Sequence, residues 1–311
     1  MPGPEFVAVD WGTSSFRLWL IGENDEVLGE SRSGEGMTTA RETGFQAVLD
    51  KHLQAVGAPD ELPVIICGMA GAKQGWIEAG YIDVPAKLTE IPDRSVRIEG
   101  LARDIRILPG LAQRDPHASD VLRGEETQLL GASNRMRSGD CLIAMPGTHS
   151  KWVRIVRDEV LGFATFMTGE LFAAISQHTI LAHTMQGSNG FDGANPAFAE
   201  AVHAALKEPE LTSNRLFSVR ARGLLFSMTP TEAEATLSGT MIGLELAGAL
   251  KSAPKDTPVI LVASGKLRGL YESAFHRIGR KFSTIDADDA VRHGLALSAR
   301  SIWSLEPIRF K

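Results

Sequence analysis

Asp10 closes an apolar run, Phe6-Val7-Ala8-Val9, and is followed by Gly12-Thr13-Ser14-Ser15 before a second apolar run from Phe16 to Ile21. A carboxylate at a strand end can hold Mg²⁺, usually through water, because that ion keeps much of its hydration shell. Gly12 lets the backbone approach a ligand, and the three hydroxyls with the turn N–H groups can cradle phosphate oxygens. The plainer reading is an ordinary hairpin that Asp10 and a serine merely close. The pattern recurs later in the chain. The run Cys141 to Met145 ends in Pro146-Gly147-Thr148-His149-Ser150-Lys151 and resumes as Trp152 to Val156. Two such hairpins are much less expected by chance than one. In the second, Met145-Pro146 replaces the strand-end carboxylate, which leaves Asp10 as the metal candidate. His149 is either a phosphate contact or a turn histidine.

Between the hairpins lies Arg123-Gly124-Glu125-Glu126-Thr127, two carboxylates at what should be the first turn of a helix. Acidic residues there stabilise a helix by opposing its dipole, and that alone could explain them. A carboxylate beside a loop glycine can also reach a substrate hydroxyl as a general base. The loop Gly68 to Trp76 follows the β-branched run Pro63 to Cys67 and offers Lys73, Gln74 and the Trp76 ring among three glycines. Ligands collect at the carboxyl ends of such strands, so these residues could wall a pocket for a polyhydroxylated acid. Arg220 and Arg222 could pair with a substrate carboxylate, although surface arginines are the commoner case. Thr168 or Thr165 could line a cleft, and Thr168 is also a good helix N-cap. His178 and His183 are badly spaced for joint metal ligation on one helix face, so no zinc site is expected.

These groups need an α/β scaffold. Three strands in a meander (Phe6 onward, Phe16 to Ile21, Glu26 to Ser33) precede a helix with Phe45, Val48, Leu49, Leu53 and Val56 on one face, and then the strand Pro63 to Cys67. A short strand, Arg106 to Gly110, should close the first lobe, with Gln113 to Asp120 as the connection. The expected lobes are 1–120 and 121–311, the final helix packing back on the first. Glu232 to Leu250 reads as a helix whose Gly239, Gly243 and Gly248 each cost about 1 kcal/mol against alanine. They suggest close approach by another backbone or a flat ligand. Val259 to Leu267 runs from buried strand through a Ser264-Gly265 turn into a helix. Phe282 to Ile285 is a last strand, and Asp286 caps a helix over 289–303.

Composition narrows the function classes. The 311 residues carry 38 acidic against 32 basic side chains, a formal charge of −6, so there is no basic footprint for nucleic acid. The N-terminus has no basic region followed by a long apolar stretch, and Ala235 to Leu250, broken by Glu245, is too short to span a membrane. A cytoplasmic enzyme is expected. Cys67 and Cys141 lie in apolar runs and read as core thiols.

The first hairpin, Asp10-x-Gly12-Thr13-Ser14-Ser15-x-Arg17, resembles the first phosphate motif of the superfamily of sugar kinases, hexokinase, actin and the Hsp70 ATPase. The second hairpin, the Gly-Glu-Glu run before it and Val259 to Leu267 stand where that superfamily has its second phosphate motif, its acidic run and its adenosine motif. The segments GMAGAKQGW, LRGEETQLLGA, MPGTHSKW, TFMTGELF and VASGKL narrow the likeness to the 2-dehydro-3-deoxygalactonokinase family. The resemblance implies two actin/hexokinase-like (ribonuclease H-like) lobes with mixed sheets and a nucleotide cleft. It implies ATP-dependent phosphorylation of the 6-hydroxyl of 2-dehydro-3-deoxy-D-galactonate in galactonate breakdown. Asp10 would position Mg²⁺. Gly12 to Ser15 with Arg17, and Gly147 to Lys151, would hold phosphates, and Ser264-Gly265-Lys266 the adenosine. Matching the Glu pair and the following Leu favours Glu126 over Glu125 as base. A phosphohydrolase of polyphosphate or nucleotides, or a nucleotide-binding protein without turnover, are the alternatives. A sugar acid is the expected partner, with no nucleic acid or membrane and a homodimer as the assembly to test.

Overall fold

The computed structural model describes residues 3–136 and 139–305. The described residues form two compact units: unit 1 comprises 3–136, 157–162 and 287–305, and unit 2 comprises 139–156 and 163–286. This division differs from a single break at 120. Residues 121–136 and the described part of 287–305 belong to unit 1.

Unit 1 is built on β1 (Pro4–Trp11), β2 (Phe16–Gly22) and β3 (Val27–Ser33), followed by α1 (Met37–Thr43), α2 (Phe45–Ala55) and β4 (Val64–Gly68). After β5 (Tyr81–Asp83), β6 (Ala86–Lys87) and β7 (Val96–Arg97) come β8 (Ile105–Ile107), β9 (Gly110–Gln113), β10 (Asp120–Leu122) and α3 (Glu125–Ala132). The main sheet has the order β3-β2-β1-β4-β8-β7. β1 pairs antiparallel with β2 and parallel with β4, and β4 pairs parallel with β8. The expected strand Arg106 to Gly110 is split between two sheets, because Pro109 has no N–H to offer a ladder. Its second part, β9, lies between β10 and β5. Apolar side chains fill one face of the main sheet, where Val48, Leu49 and Leu53 of α2 pack on Val7, Val9, Leu18 and Ile66. The helical period that predicted α2 is the one that buries it.

Unit 2 repeats the plan with β11 (Asp140–Met145), β12 (Ser150–Val156) and the later residues of β13 (Glu159–Phe166); the first residues of β13 belong to unit 1 and pair there with β6. There follow α4 (Thr168–His178), α5 (Ala182–Met185), α6 (Pro196–Lys207), α7 (Thr212–Leu225), α8 (Pro230–Ala249), β14 (Val259–Val262), α9 (Gly265–Arg277) and β15 (Phe282–Ile285). Here the order is β15-β14-β11-β12-β13, with β11 antiparallel to β12 and parallel to β14. In both units the first strand is central, its hairpin partner lies on one side and the later parallel strand on the other. That duplicated mixed sheet is the actin/hexokinase-like, ribonuclease H-like fold.

Local chemistry explains the helix that crosses unit 2. α8 opens with Thr229-Pro230-x-Glu232, a capping box: Thr229 Oγ1 accepts from the Glu232 N–H at 3.2 Å, and Glu232 Oε2 accepts from the Thr229 N–H at 2.8 Å. Its glycines admit another backbone. A Cβ on Gly239 would lie 2.4 Å from the Phe198 carbonyl, and one on Gly243 would lie 2.5 Å from that of Val202, both on α6. Gly248 faces the Phe166 ring instead. α10 (Ala287–Trp303) returns to unit 1 and makes a comparable crossing on α3, where Gly294 meets the Thr127 carbonyl and Gly131 that of Ala290.

Candidate active site

In unit 1 the register of the central strands gathers the chemistry. Asp10 pairs with Arg17 across β1 and β2 and with Cys67 across β1 and β4. Arg17 donates to Asp10 Oδ2 with one guanidinium nitrogen and to Asp288 at the start of α10 with another. Arg32 reaches the second Asp288 oxygen at 3.0 Å. Burial pushes the Asp288 carboxyl up, but the Arg17 and Arg32 charges outweigh it and hold the group below the usual carboxylate range. A cation already sits between two carboxylates here. Mg²⁺ needs only one or two protein carboxylates beside its waters and a ligand's phosphate, so Asp10 and Asp288 fit such an ion. No group of three or more His, Cys, Asp or Glu suited to a metal occurs among the described residues.

Thr13, Ser14 and Ser15 are exposed at the β1–β2 turn, and the Gly12 N–H donates to the Ser15 carbonyl at 2.9 Å. A second loop braces the turn. The Met37 N–H donates to the Gly12 carbonyl and that of Thr38 to the Thr13 carbonyl, while a Cβ on Gly36 would lie 2.4 Å from the Thr13 oxygen. The hydroxyls thus stand free on a fixed backbone.

Glu126 is completely buried at the start of α3. Its Oε2 accepts from the Gly124 N–H at 2.6 Å and its Oε1 from Thr127 Oγ1 at 2.9 Å. Burial first, and then the Glu125 charge, push its carboxyl up to about 8 against the pull of those hydrogen bonds. Glu125 is half-buried and accepts from the Arg123 N–H at 3.0 Å. Cys67, with Sγ 3.7 Å from Asp10 Oδ1, feels the charges of both Asp10 and Glu126. Burial and those two carboxylates push its thiol well above its ordinary value. Asp10 and Glu126, distant in sequence, therefore belong to one cluster in one unit. At the end of β4, Lys73 and Gln74 are exposed, whereas Trp76 packs on Trp11 and Phe45 with ring centroids 6.2 and 6.0 Å away.

In unit 2 the β11–β12 turn rests on the first turn of α4. The Glu170 N–H donates to the Thr148 carbonyl at 3.0 Å, and a Cβ on Gly169 would lie 2.6 Å from the Gly147 oxygen. His149 Nε2 pairs with the Glu170 carboxylate at the surface. Ser150 and Lys151 are buried: Ser150 Oγ lies 3.3 Å from the Tyr271 hydroxyl, and Lys151 Nζ donates to the His149 carbonyl at 3.3 Å. Ser264 Oγ donates to Asp286 at 2.9 Å, and Gly265 takes φ +59°, a conformation that favours glycine. Lys266 places Nζ 4.3 Å from the Phe191 ring centroid.

A cavity of about 160 Å³ lies between these pieces, on the order of the space one aromatic ring system needs. Gly147, Thr168, Gly169 and Lys266 border it, and Phe172, Phe191, Met241 and Leu270 make it apolar. The structure thus brings the second hairpin and the Ser264–Lys266 turn to one cavity. Arg220 and Arg222 lie on α7, where Arg222 is exposed and its charge lowers the Glu232 carboxyl behind that group's capping bonds. They do not border the cavity. Sequence reasoning missed Asp288 and the apolar lining, which no local spacing announces.

Two mixed sheets of one topology, each with its first hairpin carrying a Gly-hydroxyl turn, define a member of the sugar kinase, hexokinase and actin-like class. The comparisons with known proteins narrow this. The model of the 2-keto-3-deoxy-galactonokinase family matches residues 10–297, and the chain belongs to that family. It is 57% identical over 300 residues to a Rhizobium meliloti protein named as a probable 2-dehydro-3-deoxygalactonokinase, covering 96% of this chain and 98% of the relative. It is 31% identical over 299 residues to the 2-dehydro-3-deoxygalactonokinase of Escherichia coli, again covering 96% and 98%. A crystal structure of a protein from Sinorhizobium meliloti, described as of the 2-dehydro-3-deoxygalactonokinase kind, is 57% identical and superposes with a TM-score of 0.94. That match covers 96% of this chain and 100% of the other.

Proposed function

We infer that the protein transfers a phosphoryl group from ATP to the 6-hydroxyl of 2-dehydro-3-deoxy-D-galactonate, as a step of galactonate breakdown. The observation that carries this reading is the near full-length likeness at 57% identity to a protein of that name. The grouping of Asp10, Asp288 and Glu126 in unit 1 supports it. Phosphoryl transfer asks little covalent chemistry of a protein; positioning and charge stabilisation supply most of the rate.

Glu126 takes the proton from the attacking hydroxyl, and its raised carboxyl sits close to neutral pH, where a general base works best. It is covered in the structure, so the acceptor reaches it by displacing a neighbour. Glu125, beside it, keeps Glu126 poorly disposed to a second negative charge. Asp10, with Asp288, would hold a hydrated Mg²⁺, which when bound offsets phosphate charge. The Gly12–Ser15 turn with Arg17, and the Gly147–Lys151 turn, hold phosphates chiefly through backbone N–H groups. Ser264, Gly265 and Lys266 with the apolar cavity take the adenosine. Lys73 and Gln74 are the exposed polar groups suited to the sugar acid, with Trp76 supporting their loop from behind; Thr168, Arg220 and Arg222 are further substrate candidates.

The reaction belongs in the cytoplasm on this reading. No helix among the described residues is long and apolar enough to cross a membrane. Phe217, Leu224, Leu225 and Phe226, exposed along α7 and its end, support a homodimer, which a solution mass of one chain would remove. The deciding test is ADP release with ATP and Mg²⁺ in the presence of 2-dehydro-3-deoxy-galactonate, its gluconate epimer or no acceptor. Turnover that requires the galactonate compound is expected. Equal rates on both epimers would cancel the substrate, and acceptor-independent release would mark a hydrolase.

A further inference from the structure

Glu245 is the one charged side chain in the stretch of α8 from Ala235 to Ala249, and it is 2% exposed. A lone buried carboxylate is costly unless donors surround it. Three do. Trp152 Nε1 donates to Oε1 at 2.7 Å, while the Tyr271 hydroxyl at 2.7 Å and the Thr168 hydroxyl donate to Oε2. Burial pushes this carboxyl up, and the bonds from Thr168, Trp152 and Tyr271 pull against it. The Trp152 indole can only donate. The Ser150 hydroxyl lies 3.3 Å from that of Tyr271 and itself helps to lower the Glu245 carboxyl, so it joins the same network.

The partners come from separate elements of unit 2. Ser150 and Trp152 begin β12, directly after the Gly147–His149 turn, and Thr168 opens α4, on which that turn rests. Tyr271 sits on α9, seven residues after Ser264, and together with Thr168 it borders the apolar cavity. One carboxyl therefore fixes the phosphate turn, the α4 N-terminus and the cavity wall relative to one another. It also points the Thr168 proton inward, away from any phosphate.

We propose that Glu245 is the positioning residue of the nucleotide half-site, holding the Gly147–His149 turn and the α4 N-terminus in the geometry that receives ATP. This rests on the kinase reading above. Nothing in the network touches the reacting atoms, and none of its members lies in unit 1, which holds Lys73, Gln74 and Glu126; Thr168, a substrate candidate above, has its proton committed to Glu245 and is assigned here to the nucleotide side. The loss of Glu245 must therefore show as a split between the two substrates.

The test compares wild type with Glu245→Gln and Tyr271→Phe by steady-state kinetics and by calorimetric titration with ATP, alongside thermal melting. Glu245→Gln keeps the shape but cannot accept all three bonds. It should raise KM for ATP and the ATP Kd about tenfold or more, with KM for the sugar acid within twofold. Tyr271→Phe removes one of the donors to Glu245 together with the contact to Ser150 and should raise KM for ATP about threefold. The double variant should be no worse than Glu245→Gln, since both act through one chain of bonds. An unchanged ATP Kd in a folded Glu245→Gln, or equal rises in both KM values, overturns the proposal. Should Glu245→Gln fail to fold, an unaltered KM for ATP in Tyr271→Phe overturns it alone. A wild type that binds ATP but ignores the sugar acid sinks the substrate assignment and leaves the ATP titration to judge Glu245. A wild type that binds no ATP removes both.

Discussion

If Glu126 takes the acceptor's proton, the rate must climb with pH well into the alkaline range. Burial, with the Glu125 charge behind it, holds the Glu126 carboxyl at about 8. At about pH 7 roughly one molecule in eleven then carries the ionised base, and at about pH 9 roughly ten in eleven, so kcat/KM for the sugar acid should rise about tenfold between them. An ordinary carboxylate would give a level profile over that range. Glu126→Gln should lose about 10²- to 10⁴-fold in kcat, the usual share of a general base. The same shift has a sign for stability. The folded carboxyl keeps its proton above the unfolded value of 4.5, so the stability of the neutral form is present below that pH and is lost as pH rises toward about 8. The integrated loss is on the order of 5 kcal/mol. A glutamine escapes it but cannot accept from both the Gly124 N–H and the Thr127 hydroxyl, which returns about 1–3 kcal/mol. Glu126→Gln should therefore melt higher than wild type at pH 9, but level with or below wild type at pH 5. Initial rates of ADP release at saturating ATP across pH 6 to 9.5, with parallel melts, check both. A level rate profile, or more than a tenth of wild-type kcat in Glu126→Gln, refutes the assignment, and a dead Glu125→Gln beside it would move the base by one residue.

Asp10→Asn should raise the Mg²⁺ concentration for half-maximal rate by at least tenfold and Asp288→Asn by less, since only Asp10 lies on the strand that carries the phosphate turn; equal effects would argue against Asp10 as the main anchor. Gly294→Ala puts a Cβ 1.9 Å from the Thr127 carbonyl and should destabilise by roughly 2 kcal/mol or more, read as a lower melting temperature. Gly269→Ala, a helical position where a Cβ would meet nothing within 4 Å beyond its own helix backbone, should be neutral or stabilise by up to about 1 kcal/mol. Met145→Asp places a carboxylate 4% exposed opposite Lys151 and should raise KM for ATP by tenfold or more; an unchanged KM would show that this strand end lies away from the phosphates.

The hairpins were legible because each is local: apolar runs of β period flank a turn whose residues are adjacent in sequence. α2 was legible for the same reason, its buried face repeating every turn. The unit that holds Glu126 was not. Residues 121–136 join unit 1 through α10, whose partner glycine lies far along the chain, and only the facing pair Gly131 and Gly294 marks the crossing. The strand expected over Arg106 to Gly110 divided because Pro109 interrupts its ladder. Gly239 and Gly243 announced a close approach, yet not that α6 makes it. The cavity was illegible in principle. Its lining comes from the β11–β12 turn, α4, the loop at Phe191, α8 and α9, so no spacing links those residues. Glu245 stood out in sequence only as a charge that breaks an apolar run. Its meaning lies in Trp152, Thr168 and Tyr271, three partners that folding alone assembles.

The two units share a topology but not a chemistry, and the difference is physical. At equivalent places in the register, unit 1 pairs Asp10 with Arg17, and unit 2 pairs Met145 with Lys151. One hydrated ion needs one strand-end carboxylate. A second one about 4 Å from a phosphate oxygen would be repelled by about 4 kcal/mol at an effective dielectric of about 20, with no ion of its own to offset it. Unit 2 instead keeps its carboxylate behind the turn, at Glu245, where hydroxyl and indole donors absorb the charge and the backbone N–H groups of the turn stay available for a ligand. The same reasoning separates the two buried glutamates. Burial pushes both carboxyls up, but Glu245 is met by hydroxyl and indole donors from three elements and serves as an anchor, whereas Glu126 also lies beside Glu125, whose charge raises it further, as a base requires.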